Sequence, residues 1–122
     1  MKVLAPRVFK TSWFSKAAGK VGIDDAELCG TAQALQQGQG DDLGGGVWKA
    51  RLNKNRHRTI VLHKVGKRWI FTYLFAKKDR ENISVKELEG FKKLSRDYAA
   101  ASLSQIAGLL DQGELLEICH EY

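Results

Sequence analysis

Residues 47–76 read VWKARLNKNRHRTIVLHKVGKRWIFTYLFA and contain three runs of apolar and β-branched residues. These runs predict strands over 47–52, 58–65 and 68–76, separated only by Asn-Lys-Asn-Arg and by Gly-Lys. Connections this short join antiparallel strands. The stretch therefore predicts a three-stranded antiparallel meander as the centre of the fold.

The last of these strands, 68–76, is predicted to be central and covered on both sides. Regular alternation places Ile70 and Leu74 on one face. The other face then carries the aromatic side chains of the strand, Trp69, Phe71, Tyr73 and Phe75. Because both faces are apolar, we expect other elements to pack on each side of the sheet.

The segment before the meander predicts one strand, two helices and a connection. Residues 2–9 predict a strand at an edge or with a bend, because Pro6 lies within it. The helices are predicted from Thr11-Ser12 to Gly19 and from Asp24 or Asp25 to near Gly38. Residues 37–46, QGQGDDLGGG, have five glycines and no periodicity, so we interpret them as a mobile connection without chemistry.

The segment after the meander predicts two further helices and a closing strand. Ser84 and Glu87 form a capping-box pattern at the start of the third helix. A fourth helix is predicted from Ser102 or Ser104 to Gly113, and residues 115–122 predict a short strand. The chain is therefore α+β, with N-terminal helices before an antiparallel meander and C-terminal helices after it, in a single domain over 1–122.

Bulk properties limit the function classes. The chain has no apolar run of the roughly 20 residues that a membrane helix needs, and residues 1–10 lack the features of a secretory signal. We therefore expect a cytoplasmic protein that does not contact membranes. Cys29 and Cys119 are far apart and match no zinc or CxxC spacing, so we interpret both as buried, reduced thiols.

The positive charge of the chain is concentrated in the meander. Residues 49–80 contain 11 Lys and Arg and one acidic residue, Asp79, whereas the net charge of the whole chain is only +6. Such asymmetry is typical of a surface that binds a polyanion, here nucleic acid, although a solvated basic face would give the same charge.

The predicted hairpin brings three cations together. Lys49 and Arg51 share one face of a strand at about 6–7 Å, near the spacing of adjacent phosphates. If the hairpin turns at Lys54-Asn55, Arg58 lies opposite Arg51 on that same face. Guanidinium groups bind phosphate oxygens bidentately, and a lysine with cationic neighbours can act as a base. The hairpin thus predicts a surface that could cleave RNA through its own 2′-OH.

Two other nuclease mechanisms do not match the sequence. A two-histidine mechanism would need His57 and His63 on one phosphate, but six residues of strand separate them by roughly 20 Å. A magnesium site would need clustered carboxylates, and Asp79 is the only acid in the basic segment. We therefore expect neither a metal nor another cofactor.

The residues GGVWKARL, RTIVL, FTYLFAKKDRENIS and VKELEGFKKL, together with the element order, resemble RelE-type toxins of bacterial toxin–antitoxin systems, especially the HigB-like branch. The resemblance implies a small RelE-like fold and a toxin that cleaves messenger RNA on the ribosome without metal. It implies catalytic roles for Lys49, Arg51, Arg58 and Lys78, with Lys77 as an alternative to Lys78. The nearby Lys54, Arg56, His57, Lys77 and Arg80 are then expected to contact RNA.

The resemblance leaves the general acid open. Ser84 stands where some family members have a tyrosine, and Arg56, His57 or Arg80 are alternatives. The resemblance also implies a cognate antitoxin, in this branch often a helix-turn-helix protein, with Leu103, Ile106 and Leu110 as candidate docking positions or ordinary core.

Two other functions remain consistent with the sequence. The same basic surface could serve a non-catalytic regulator that binds RNA or the ribosome. A ParE-like protein of the same superfamily would instead inhibit DNA gyrase.

Overall fold

The computed structural model describes residues 6–64 and 68–119, which form an α+β fold with one six-stranded sheet. The strands are β1 Arg7–Thr11, β2 Asp41–Gly44, β3 Val47–Leu52, β4 His57–Lys64, β5 Arg68–Ala76 and β6 Leu115–Ile118. The helices are α1 Ser12–Lys20, α2 Asp25–Gln36, α3 Val85–Ala100 and α4 Leu103–Asp111. The predicted strands and connection extend into residues 2–5, 65–67 and 120–122, and these residues lie outside the part of the chain that the structure describes.

The predicted meander is confirmed and lies within a larger sheet. The strand order is β2-β3-β4-β5-β1-β6, with antiparallel pairing from β2 through β5. β1 pairs in parallel with β5 and antiparallel with β6, so the complete sheet is mixed rather than purely antiparallel. β5 is therefore central, as its apolar sequence predicts.

Helices cover both faces of the sheet. α1 and α2 pack on one face and contribute Phe14, Ala18, Leu28, Ala32 and Leu35 to a core with residues of β1, β3, β4 and β5. α3 and α4 pack on the other face, where fully buried Ile106 joins a second core that includes partly buried Phe91. None of the helices in the described residues combines the length and apolar character needed to cross a bilayer.

The helix boundaries follow the capping residues predicted from sequence. Thr11 and Asp24 cap α1 and α2, and each side chain accepts a hydrogen bond from a backbone N–H in the first turn. Ser84 and Ser102 cap α3 and α4 in complete capping boxes. Side-chain oxygens thus satisfy amide groups that the helix itself leaves unpaired.

The prediction that the four aromatic side chains of β5 share one face is wrong, because the strand contains a bulge. Ile60 pairs with Tyr73 but the adjacent Val61 pairs with Phe71, which leaves Thr72 as an extra residue. One extra residue reverses the side-chain alternation beyond it. Trp69 and Phe71 therefore face the core under α1 and α2. Phe75, and with it Tyr73, faces the core under α3 and α4.

The interpretation of residues 37–46 as a mobile connection is also wrong. Residues 41–44 form β2, which extends the meander beside β3. The turn that follows needs three glycines with positive φ: 89° at Gly44, 62° at Gly45 and 80° at Gly46. A Cβ at Gly46 would lie 2.5 Å from the Ser95 side chain and 2.9 Å from the His63 carbonyl. The glycines thus serve close packing against α3 rather than mobility.

The two cysteines form a disulfide, which corrects the expectation of reduced thiols. Cys29 lies in α2 and Cys119 directly follows β6, with their Cα atoms 5.5 Å apart. Both residues pack against the core under α1 and α2. Their separation of 90 residues carries no pairing signal, because only the sheet order brings β6 to the side of α2.

Candidate nucleic-acid interface

A cleft of about 690 Å³ opens beside the half of β3 that β2 does not cover. It lies between α2, the segment that leads into β2, the β3–β4 hairpin and the segment after β5. Its lining residues are Thr31, Ala34, Gln39, Gly40, Asp41, Lys49, Ala50, Arg51, Arg58, Lys77 and Glu81. Four of these residues are cations from the sequence-predicted basic segment.

Strand register confirms the predicted grouping of Lys49, Arg51 and Arg58. Arg51 pairs directly with Arg58 across the β3–β4 ladder, and Lys49 is two residues before Arg51. Residues directly opposite in such a ladder have Cβ atoms about 4.5–5.5 Å apart. Like charges in these positions repel one another, so the arrangement suits a bound anion.

The three cations differ in how firmly they are held. Lys49 has a side chain only 15% exposed, and its Nζ lies 3.8 Å from an Asp41 carboxylate oxygen. Arg58 uses one terminal nitrogen, Nη1, to donate to the carbonyl oxygens of Asn55 at 3.2 Å and His57 at 3.1 Å. Its remaining N–H groups stay available to a ligand. Arg51 is exposed and makes no hydrogen bond or ion pair with the described residues.

The turn between β3 and β4 has an unusual backbone. Asn53, Lys54 and Asn55 all have positive φ, at 54°, 53° and 70°, although none is glycine. The Glu27 carboxylate on α2 accepts a hydrogen bond of 2.5 Å from the Asn53 amide, and Arg56 N–H donates to the Asn53 carbonyl at 3.1 Å. The turn is therefore tied to α2, with Lys54 and Arg56 exposed at its tip.

The backbone after β5 returns to this turn. The Lys77 amide donates to the carbonyl oxygen of Arg56 at 2.9 Å, and Lys77 lines the cleft. Lys78 is exposed and does not line it. Glu81, from the same segment, also lines the cleft. Of the two lysines considered from sequence, Lys77 is thus the one that lines the cleft together with Arg58.

A comparison with protein families matches residues 6–118 to the RelE toxin of the RelE/RelB toxin–antitoxin system. The chain belongs to the RelE toxin family. The match runs from β1 through the end of β6 and includes every residue that lines the cleft. Membership confirms the resemblance to RelE-type toxins and implies a cognate antitoxin as partner. A search of curated proteins finds no match to the chain.

In this RelE-family chain, Ser84 at the family's tyrosine position and Arg80, one of the three alternatives for the general acid, both have structural partners. Ser84 caps α3, where its hydroxyl accepts a hydrogen bond from the Glu87 amide at 3.1 Å. Arg80 donates to both carboxylate oxygens of Glu87, at 3.1 and 2.5 Å, and lies over the Phe75 ring. The arrangement stabilises the start of α3.

His57 and Arg56 lie on either side of the end of the hairpin turn. The His57 Nδ1 is 3.2 Å from the Asn53 side-chain nitrogen, and the ring is partly buried. Arg56 is exposed, and its backbone carbonyl accepts the Lys77 hydrogen bond. Of the three alternatives considered from sequence, Arg56 thus has the least constrained side chain.

His63, the second histidine considered from sequence, lies far along β4. Its ring stacks on Trp69 with centroids 3.7 Å apart. Burial lowers the pKa of His63, which favours its neutral form. His63 therefore has a packing role in this family member.

Sequence reasoning missed the walls that α2 and β2 provide. Thr31 and Ala34 come from α2, and Gly40 and Asp41 come from a segment to which no chemistry was assigned. A Cβ at Gly40 would lie 2.6 Å from the Leu35 side chain, so only glycine permits this close approach. No local pattern signals these contacts, because they depend on the pairing of β2 with β3.

We predict that the Arg80–Glu87 pair makes folding stability sensitive to acid. Hydrogen bonds from Arg80 and Ser84 lower the pKa of Glu87 from 4.5 to about 2. Because the unfolded state takes up this proton first, the contribution is complete above about pH 4.5 and is lost as pH falls toward about 2. Urea unfolding of Glu87→Gln should therefore show a shallower loss of stability in acid than the parent.

Glu89→Gln provides the matched control, since Glu89 lies on the same helix and its side chain is 66% exposed. Its acid profile should follow that of the parent protein. Identical acid profiles for the parent and Glu87→Gln would contradict the prediction.

Proposed function

We propose that this RelE-family chain is a ribosome-dependent endoribonuclease that cleaves messenger RNA without a metal or cofactor. The observation that supports the proposal best is the convergence of Lys49, Arg51, Arg58 and Lys77 on one cleft. Four cations around one cavity can hold a bent phosphodiester and offset the charge that develops on it.

The proposed reaction uses the nucleophile that RNA itself carries. The 2′-oxygen attacks the adjacent phosphorus, and the bond from phosphorus to the 5′-oxygen breaks. The proton of the 2′-OH leaves during attack, and a proton reaches the departing 5′-oxygen. The products are a 2′,3′-cyclic phosphate and a 5′-hydroxyl end. The protein must therefore orient the phosphate, stabilise its extra negative charge and assist proton transfer.

The geometry suggests distinct roles for the four cations. Arg58 presents a guanidinium that two backbone carbonyls already orient, and Arg51 faces it across the ladder. These two are assigned to the nonbridging phosphate oxygens, where bidentate guanidinium contacts are strong. Lys49, paired with Asp41, is assigned to electrostatic stabilisation in preference to the role of base. Lys77, the alternative to Lys78 in the resemblance, is assigned the fourth cationic position because it lines the cleft.

The proposal includes the partners and the compartment. Messenger RNA in the ribosome is the substrate, which places the toxin in the cytoplasm. The antitoxin is proposed to be a helix-turn-helix protein, as in the HigB-like branch. An acidic segment of the antitoxin could cover the cleft, because charge complementarity favours such contacts.

The decisive experiment is cleavage of messenger RNA on programmed ribosomes by the purified protein, mapped by primer extension beside a naked-RNA reaction. We expect cuts only on ribosomes and a loss of about 10²-fold or more in Lys49→Ala. Lys93→Ala is the matched control, because this exposed lysine of α3 pairs with Asp97 away from the cleft. Its cleavage rate should equal that of the parent.

Two results would replace the proposal with another function. Salt-sensitive binding to RNA or ribosomes without any cut would indicate a non-catalytic regulator. Inhibition of DNA supercoiling with translation unaffected would indicate the gyrase-directed activity of ParE-like relatives.

A further inference from the structure

The outer face of α1 carries an exposed tryptophan among cations, outside the cleft. Trp13 is 51% exposed, although its neighbour Phe14 is fully buried in the core. Lys16 and Lys20 follow Trp13 at intervals of three and seven residues, and both are exposed. Residues at these intervals lie on one helix face. We name Trp13, Lys16 and Lys20 the α1 stripe.

Stacking against another aromatic ring holds the Trp13 ring in a fixed orientation. Its ring stacks on Tyr73 with centroids 5.3 Å apart and an interplanar angle of 25°. Tyr73 in turn contacts Phe75 and Phe91, with centroids 5.9 and 5.7 Å apart. Because Tyr73 covers one face of the indole and half of Trp13 is exposed, the opposite face is open to a ligand.

The charge on α1 itself favours an anionic partner. Neither Lys16 nor Lys20 makes an ion pair with any described residue, and α1 contains no acidic residue. On a helix, Lys16 lies about 4.5 Å and Lys20 about 10.5 Å along the axis from Trp13. These spacings allow one or two phosphates to be neutralised while a base stacks on the ring.

The position of Trp13 relative to the cleft also points to RNA. Tyr73, which supports Trp13, lies on β5 opposite Ile60 of β4, and Ile60 lies opposite Lys49 of β3. Neighbouring strands are about 4.8 Å apart, so Lys49 and Tyr73 are separated by roughly 10 Å in the sheet. A polynucleotide at the cleft therefore has a second aromatic and basic surface within the length of a few nucleotides.

We infer that the α1 stripe is an RNA-binding surface that stacks an unpaired nucleobase on Trp13 and contacts phosphates through Lys16 and Lys20. Aromatic side chains bind bases in this manner in proteins that recognise single-stranded RNA. The inference rests on the proposed function for its choice of RNA. The base can come from the message near the cut or from an unpaired nucleotide of ribosomal RNA.

Binding of a 2′-O-methyl hexanucleotide tests the inference independently of cleavage, because this RNA lacks the nucleophile. Its affinity is measured by fluorescence anisotropy against an abasic hexamer of the same charge. We expect Trp13→Ala to weaken binding about 10-fold or more and Trp13→Phe to retain most of it. The abasic hexamer should bind the parent as weakly as the normal hexamer binds Trp13→Ala, and Trp13→Ala should not distinguish the two.

Ribosome cosedimentation forms the second arm and separates the two sources of the base. Loss of ribosome binding in Trp13→Ala, with unchanged hexanucleotide binding, assigns the base to ribosomal RNA. Leu103→Ala is the matched control, because Leu103 is 71% exposed on α4, which contains no cation. Its binding in both arms should equal that of the parent.

Unchanged binding of folded Trp13→Ala in both arms would overturn the inference. Failure of the parent protein to cleave ribosomal messenger RNA, with Trp13-dependent binding intact, would overturn the proposed function and leave the α1 stripe as an RNA-binding surface.

Discussion

Arg58→Ala is expected to lower the rate of messenger RNA cleavage on ribosomes by about 10²–10³-fold, the typical cost of removing one donor to a developing anion. The effect should be large because Arg58 lies in the cleft with its guanidinium already oriented by two backbone carbonyls. Single-turnover cleavage with excess protein measures this rate without interference from ribosome exchange. The same variant should no longer arrest growth when expressed without antitoxin.

The fold of Arg58→Ala should be little affected, which makes the result interpretable. The substitution removes two hydrogen bonds to backbone carbonyls, but it also relieves repulsion with the directly opposed Arg51. These effects oppose each other, so urea unfolding should show a change of about 1 kcal/mol or less.

Two further variants distinguish the role of the guanidinium from that of charge. Arg58→Lys keeps the positive charge but loses the bidentate fork, so its rate should fall between those of the parent and Arg58→Ala. Arg56→Ala removes an exposed arginine two residues away, outside the cleft lining, and should have a smaller effect. Cleavage by folded Arg58→Ala at the parent rate would exclude Arg58 from the phosphate site.

Reduction of the Cys29–Cys119 disulfide is expected to lower the free energy of unfolding by about 2–4 kcal/mol. The bond joins residues 90 positions apart, so it closes a loop that includes most of the chain. Opening it gives the unfolded chain more conformational freedom, and the loss of stability grows with loop length. Urea unfolding with and without dithiothreitol measures the difference.

The double variant Cys29→Ser, Cys119→Ser is the control for this experiment. It should match the reduced parent approximately and should not respond to dithiothreitol. Opening the disulfide should also affect the cleft, because Cys29 lies two residues from both Glu27 and Thr31 on α2. Glu27 bonds the hairpin turn, and Thr31 lines the cleft. Equal stability of the oxidised and reduced parent would contradict the prediction.

Much of the fold could be predicted from local chemistry. Short connections between apolar runs imply hairpins, and a turn at Lys54-Asn55 places Arg51 opposite Arg58, as the register shows. Hydroxyl and carboxylate side chains at Thr11, Asp24 and Ser84 mark helix starts because they satisfy nearby amides. The resemblance to RelE toxins rested on short motifs in β3, β4, β5 and α3 and on the element order, and it is confirmed by the family match.

The errors all concern pairings and contacts that no local pattern of residue types shows. The bulge at Thr72 moves the side chains of Tyr73 and Phe75 to the opposite face of the sheet. No residue type in β5 predicts this bulge. The pairing of β2 with β3 converts a glycine-rich connection into a cleft wall that carries Asp41. The disulfide depends on β6, which reaches the side of α2 only through its pairing with β1.

The sequence by itself therefore determined the meander, the helix starts, the opposed arginines and the family of this protein. These features depend on residues close together in the chain, where turn length, side-chain alternation and capping act directly. Only the tertiary structure decided that Lys77 lines the same cleft as Arg58, that α2 and Asp41 form its walls, and that Cys29 meets Cys119. Those contacts arise from the order of strands in the sheet, which minimises exposed apolar surface over the whole chain and leaves no local pattern.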